Sequence, residues 1–169
     1  MSEFWEWAVA AYAGEGVAEA CLTLQDDHGQ CVPLLLWAAW RAARGQGVQA
    51  AEAAALARTW SDEAIAPLRA VRRRLKTPLS SEDDARRLPL REQVKAAELV
   101  AERALMGLLE ALPAREKTAH QTAEDLCRAH LDACAHAWGE KMPPEARDRL
   151  CQALTKGDFL RYNASSQGA

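Results

Sequence analysis

Val32-Pro33-Leu34-Leu35-Leu36-Trp37-Ala38-Ala39-Trp40 carries no charge and is apolar on every side when wound as a helix. A helix without a polar face belongs inside a protein, so this stretch predicts the buried centre of an all-α fold. Pro33 fits its first turn, where the missing N–H is one of the unpaired donors anyway. Arg41 and Arg44 suit the negative end of its dipole, and Gly45 and Gly47 close it. Upstream, Ser2 reads as an N-cap with Glu3 and Glu6 in the first turn, opening a helix that runs to about Ala13 and stops at Gly14. A second helix is expected from about Gly16 to Asp27, with Gly29 as its left-handed terminator.

Downstream, the alanine-rich 50–58 stretch continues as helix, and Ser61-Asp62-Glu63 reads as a fresh N-cap for a helix over 62–76. Pro67 should kink it. Residues 77–89 have turn and charge composition and read as a linker. Leu90, Val94, Ala97, Ala101, Leu105, Leu108 and Leu112 then recur at spacings of three and four, one amphipathic stripe that Pro113 ends. Ala119, Ala123, Leu126, Cys127, Leu131, Cys134 and Trp138 make a second. The short connection between them predicts an antiparallel hairpin over 90–139. Pro143-Pro144 opens a short last helix ending near Gly157, and the tail 163–169 reads as disordered. The expected architecture is one all-α domain of six or seven helices, with a specified core at 3–76 and the long hairpin packed on it.

Composition agrees. The chain has 169 residues, enough to bury roughly two-thirds of its unfolded surface without a disulfide or metal. Alanine, leucine, glutamate and arginine dominate while β-branched residues are scarce, which favours helix over sheet. A net charge of −3 lacks the basic footprint of a nucleic-acid binder. Cys21, Cys31, Cys127, Cys134 and Cys151 form no CxxC pair, and the odd count fits thiols kept reduced in a cytoplasm. Acidic Glu3 and Glu6 replace the basic start of a signal peptide, and no apolar run approaches a bilayer span.

Several of these residues also form a pattern. Phe4-Trp5, Trp7-Ala8, Tyr12, Gly16-Val17-Ala18-Glu19-Ala20-Cys21-Leu22, Leu24-Gln25-Asp26, His28-Gly29, Leu34 to Trp37 and Trp40 together resemble a family of proteobacterial proteins of about this length, a conserved domain of unknown function. Trp60, Pro67-Leu68-Arg69, Val71-Arg72 and Leu75-Lys76 extend the resemblance, which covers about residues 3–76. Where members carry an Asp-Val-Asn-like triplet after the His-Gly pair, this chain has Cys31-Val32-Pro33. The resemblance implies a helical, bacterial, cytoplasmic protein and brings no activity, cofactor or partner.

Four sets of side chains merit weighing. Gln25, Asp26 and His28 sit at a corner beside the apolar helix and could line a pocket with Trp37, His28 acting as acid or base near neutral pH. The plainer account is capping, with His28 on a helix dipole and Asp26 bonding the N–H groups that open the next helix. Cys127, His130 and Cys134, with Cys151, offer soft zinc ligands, yet three ligands on one helix rarely converge and both cysteines lie on the apolar stripe. The acid pairs Asp26-Asp27 and Asp83-Asp84 have too few ligands for a metal motif. Trp5, Trp7, Trp37, Trp40 and Trp60 could box a ligand, although core packing is the better account of clustered indoles, which supply large buried area to a domain otherwise built from alanine. Finally, residues 68–76 (LRAVRRRLK) place Arg69, Arg72, Arg73, Arg74 and Lys76 around an apolar face, whereas residues 1–60 hold seven acids and three bases. That segment reads as a partner-binding face or as a solvated face paired with Glu15, Glu19 and Asp26. The forked donors of Arg69 and Arg72 suit a carboxylate or phosphate.

No nucleophile–base motif, glycine-rich phosphate loop or strong metal signature is present, which leans away from an enzyme and calls for no cofactor. Two functions follow. One is a non-enzymatic interaction or regulatory module that docks another cytoplasmic protein through the basic 68–76 face or the aromatic N-terminal block. The other is a ligand-binding protein or small enzyme with a polar pocket between the second and third helices, using Gln25, Asp26, His28, Trp37, Arg69 and Arg72.

Overall fold

Ser2 Oγ accepts the Trp5 amide at 3.1 Å and opens α1 (Glu3–Tyr12) in the computed structural model, which describes residues 2–78, 84–116 and 122–161. Gly16 and Gly29, both at positive φ, bracket α2 (Val17–Asp26) and turn the chain into α3 (Val32–Ala43). Every residue of α3 from Pro33 to Ala43 is buried, so the apolar run is the centre of the fold. Among the described residues the chain forms helices and no strand, with one isolated bridge pairing Gly47 and Arg115.

Ser61 is not an N-cap. It lies at φ −62°, ψ −47°, and the chain runs unbroken from α4 (Ala50–Trp60) through a π-helical turn (Ser61–Ile65) into α5 (Ala66–Arg74). Proline lacks an amide hydrogen and its ring crowds the carbonyl four residues back. The wider π turn, in which the Ala66 amide donates to the Ser61 carbonyl, lies just before Pro67, where an α-helix would meet that crowding. Counting this rod once, the described residues hold seven helical rods, completed by α6 (Asp84–Glu110), α7 (Ala123–Trp138) and α8 (Pro144–Lys156).

The linker expected over 77–89 is shorter than its composition implied. α6 begins at Asp84 and carries Pro89 inside it, while residues 79–83, Asp83 among them, lie outside the described residues, as do Ala119 and the tail 163–169. The buried face of α6 also differs from the expected stripe: Glu98, Ala101, Leu105, Met106 and Leu109 are inside, while Leu90 and Leu108 are exposed. Glu98 can lie in the buried face because it accepts hydrogen bonds from Arg69 and Arg72 of α5. The two long helices both pack on the N-terminal core, sharing α3 and α4 as partners, rather than mainly on each other. α7 lies on α3 and α4, whereas α6 lies on α5, α3, α1 and α4. α8 bridges α2 and α7.

Arginines tie helix ends across this arrangement. Arg41 of α3 donates to the carbonyls of Glu110 and Leu112, at 3.1 and 2.5 Å, and so closes the C-terminus of α6, which has no basic residue in its last turn. Its guanidinium also lies 5.0 Å over the Trp40 ring and 5.4 Å over Trp37. Arg87 does the same for α5 through the carbonyls of Leu75 and Lys76, and Arg58 for α7 through that of Ala137. Each cation meets the unpaired carbonyls at the negative end of a helix other than its own.

Candidate functional site

A cleft of about 590 Å³ opens between α1 and α6, floored by α3 and closed at one end by α2 and α5. α1 contributes Trp5, Ala8, Val9 and Tyr12, spaced by three and four along one face. α6 faces it with Lys95, Ala96, Leu99, Glu102 and Met106. Val32, Pro33 and Leu36 form the floor, and Leu22 and Gln25 come from α2. Val9, Leu22 and Leu99 are each about half exposed (51, 48 and 52 %), so three apolar side chains on three helices reach solvent around one concavity.

One flank of the cleft is charged. Arg69 Nε donates to Glu98 Oε1 at 2.8 Å and its Nη2 to Glu102 Oε1 at 2.9 Å, while Arg72 Nε donates to Glu98 Oε2 at 2.5 Å. Arg69 and Arg72 stand three residues apart on α5 and Glu98 and Glu102 four apart on α6, so two helical faces meet as a four-membered network. Burial works against the Glu98 carboxylate, but the hydrogen bonds from Arg72 and Arg69 overcome it and hold its pKa below the usual value. At Glu102 burial prevails and its pKa is raised. Hydrogen bonding to Glu98 keeps Arg72 firmly protonated.

The residues singled out in the sequence divide between this cleft and elsewhere. Gln25, Arg69 and Arg72 line it. Asp26 stands beside it, exposed, accepting from Gln25 at 3.2 Å and pairing with Arg73 at 3.6 Å. It does not cap α3, whose N-cap Cys31 has no side-chain hydrogen bond. His28 is half-buried in the turn between α2 and α3 and is not part of the cleft wall. Trp37 is buried to 1 % exposure in the core, and its Nε1 finds no acceptor among the described residues. The indoles form no single box. Trp60 Nε1 donates to Ala101 at 2.7 Å, Trp7 Nε1 to Phe159 at 3.2 Å, and Trp5 alone of the five enters the cleft. Arg73, Arg74 and Lys76 are exposed; among the described residues Arg73 pairs with Asp26, while Glu15 pairs with Lys156 of α8.

The cysteine–histidine set is core. His130 is buried, with Nδ1 3.3 Å from the Ala38 carbonyl, and burial lowers its pKa. Cys127 Sγ lies 3.4 Å from Cys151 Sγ, and burial pushes the Cys134 and Cys21 thiols up to about 12. Such thiols are weak ligands and weak nucleophiles. No group of three or more potential metal ligands is assembled among the described residues. No helix among them is long and apolar enough to cross a membrane.

Reading the sequence missed Glu98, Glu102, Val9 and Leu99. The signal for the first two was their four-residue spacing opposite two arginines three apart, legible only once α5 and α6 are known to be neighbours. Leu99 has no such signal, since an exposed leucine looks like any member of an amphipathic stripe.

The sequence model of one family, described as a protein of unknown function (DUF2390), matches residues 3–109. The chain belongs to the DUF2390 family. The match runs past residue 76, where the sequence resemblance ended, through nearly all of α6. Every residue lining the cleft, Trp5 to Met106, therefore lies inside the DUF2390 span, and α7 and α8 lie outside it. No curated protein and no solved structure matches the chain.

Proposed function

We propose that this DUF2390 protein is an interaction module and that the cleft between α1 and α6 is its docking surface. The observation that carries the reading is the convergence of half-exposed Val9, Leu22 and Leu99 on one concavity built within the family span. Apolar side chains from three helices cost free energy when left in water, and a partner's apolar side chains would recover it. The aromatic N-terminal block contributes Trp5 and Tyr12 to the same surface. Arg69 and Arg72 act there as a frame for the wall, because their donors are engaged by Glu98 and Glu102. Within the 68–76 segment, the basic residues not engaged by those two carboxylates are Arg73, Arg74 and Lys76.

Site-specific photocrosslinking in the native host tests this. A crosslinking residue at Val9, Leu22 or Leu99 is expected to trap the same polypeptide, and one at exposed Ala129 on α7 to trap none. Equal capture from all positions, or from none, contradicts the reading.

The ligand-binding alternative draws on the same cleft, whose size falls within the range of small-molecule sites. Native mass spectrometry of protein purified from its own host separates the two. A retained small-molecule mass that Leu99→Glu removes supports a ligand, and a complex with a second polypeptide supports docking.

A further inference from the structure

Resting on the docking reading, the walls of the cleft and the charges at one end of it specify the occupant further. Both walls are ridged with helical period: Trp5, Val9 and Tyr12 on one, Lys95, Leu99, Glu102 and Met106 on the other. Rows spaced by three and four receive the matching rows of another helix, whereas a flat surface would touch only their crests. From Glu92 to Met106 the α6 wall extends about 21 Å at 1.5 Å per residue, room for roughly four turns. The length and relief fit a rod.

Charge fixes its flank. Glu98 and Glu102 are committed to Arg69 and Arg72. Beyond them at the α5 and α2 end stand Arg73, on the α5 face shared with Arg69 and Arg72, and Lys95 on α6, each 63 % exposed. Lys76 continues that face past the helix end. Their acidic neighbours are Asp26 at 3.6 Å from Arg73 and Glu92 at 3.7 Å from Lys95, loose exposed pairs of little net worth that exchange readily for better ones. Three exposed bases, Arg73, Lys76 and Lys95, against the two exposed acids Asp26 and Glu92 leave this end of the cleft basic by one charge on a chain whose net charge is −3. We propose that the occupant is an amphipathic helix of another protein, its apolar stripe lying along Leu99 and Val9 and its carboxylate-bearing flank lying against Arg73, Lys76 and Lys95.

Two synthetic peptides of about 16 residues test this, sharing one leucine stripe at helical spacing and differing only in flank, glutamate in one and lysine in the other. Affinity and amide chemical shifts are measured with the full chain at about 0.05 M and about 0.5 M salt, which brackets strong and weak screening. The glutamate peptide is expected to bind about tenfold tighter at low salt, to lose that advantage at high salt, and to shift the resonances of Val9 and Leu99. Arg73→Glu with Lys95→Glu should remove the preference and spare binding of the lysine peptide. Equal binding of both peptides overturns the acidic flank and leaves the docking surface standing. If neither shifts Val9 or Leu99 at millimolar concentration, the docking reading falls as well. Shifts confined to Arg73 and Lys76, or binding only to anionic lipid vesicles, overturn the proposal in favour of plain electrostatic attraction. A chain that sediments as a dimer dispersed by Leu99→Glu overturns it in favour of a second copy in the cleft.

Discussion

α3 and α6 are both rich in apolar residues, and the fold treats them in opposite ways. α3 is 12 residues long, is met on all sides by α1, α2, α4, α6 and α7, and exposes almost nothing from Pro33 to Ala43. α6 is 27 residues long and buries only Arg87, Glu98, Ala101, Leu105, Met106 and Leu109, leaving Leu88, Leu90, Leu99, Val100 and Leu108 in solvent. A covered apolar residue stabilises the fold, whereas an uncovered one adds little to stability and marks where something else can bind. α3 is therefore a structural element and α6 presents a surface, of whose exposed apolar side chains Leu99 is the one that lines the cleft.

The sharpest way to break that contrast is at its buried pole. Trp37→Ala should cost about 3–5 kcal/mol in urea unfolding, as removal of a buried aromatic does. A loss below about 1 kcal/mol would mean that α3 is not the centre it looks to be. Arg41→Met should come next, at about 2–4 kcal/mol, because it strands the carbonyls of Glu110 and Leu112 and empties the space over two indoles. The same variant should raise hydrogen exchange at the C-terminal end of α6 before it does so in α8.

Glu98→Gln probes the boundary between core and surface. It leaves Arg69 and Arg72 without their shared carboxylate, and since both arginines are partly exposed the cost should be about 1–2 kcal/mol. Glu102→Gln should cost less, because burial already disfavours its charge. If Glu102→Gln is the more damaging, the network is organised around the other carboxylate.

Acid offers a test without mutation. Burial lowers the pKa of His130 below that of the unfolded chain, so the unfolded state binds the proton more tightly. Stability at the α3–α7 interface is then complete above about pH 6.5, the unfolded value, and declines as pH falls towards the lower folded value. His130→Asn, whose amide can still donate to Ala38, should flatten that part of the melting-temperature profile. A profile unchanged by the substitution would assign the acid sensitivity elsewhere.

The same contrast explains what could be read from the sequence. α3 announced itself because a helix apolar on every side has only one place to go, and Ser2, Gly16 and Gly29 marked ends through local chemistry alone. Ser61-Asp62-Glu63 misled because those residues suit an N-cap, and nothing local reveals that a π turn before Pro67 lets the helix continue. The seam of α6 was misplaced because a glutamate lies in it, and a stripe search passes over a buried charge whose partners sit 26 and 29 residues away. Arg41 was read as serving its own helix, while the helix-end carbonyls it meets lie 69 and 71 residues on. Local rules found ends and faces. The cleft exists only between helices, so Gln25, Arg69 and Arg72 appeared as candidates without the walls that give them a setting.

Leu99→Glu, followed for both folding and capture in the native host, bears most directly on the claim that the α1–α6 cleft is a surface made for a partner. The side chain is half exposed, so the melting temperature should stay within about 2 °C of wild type while the polypeptide trapped from a crosslinking residue at Val9 disappears. A protein that unfolds on this change would make Leu99 part of the core, and one that keeps both its stability and its crosslink would show that the cleft does not hold the partner.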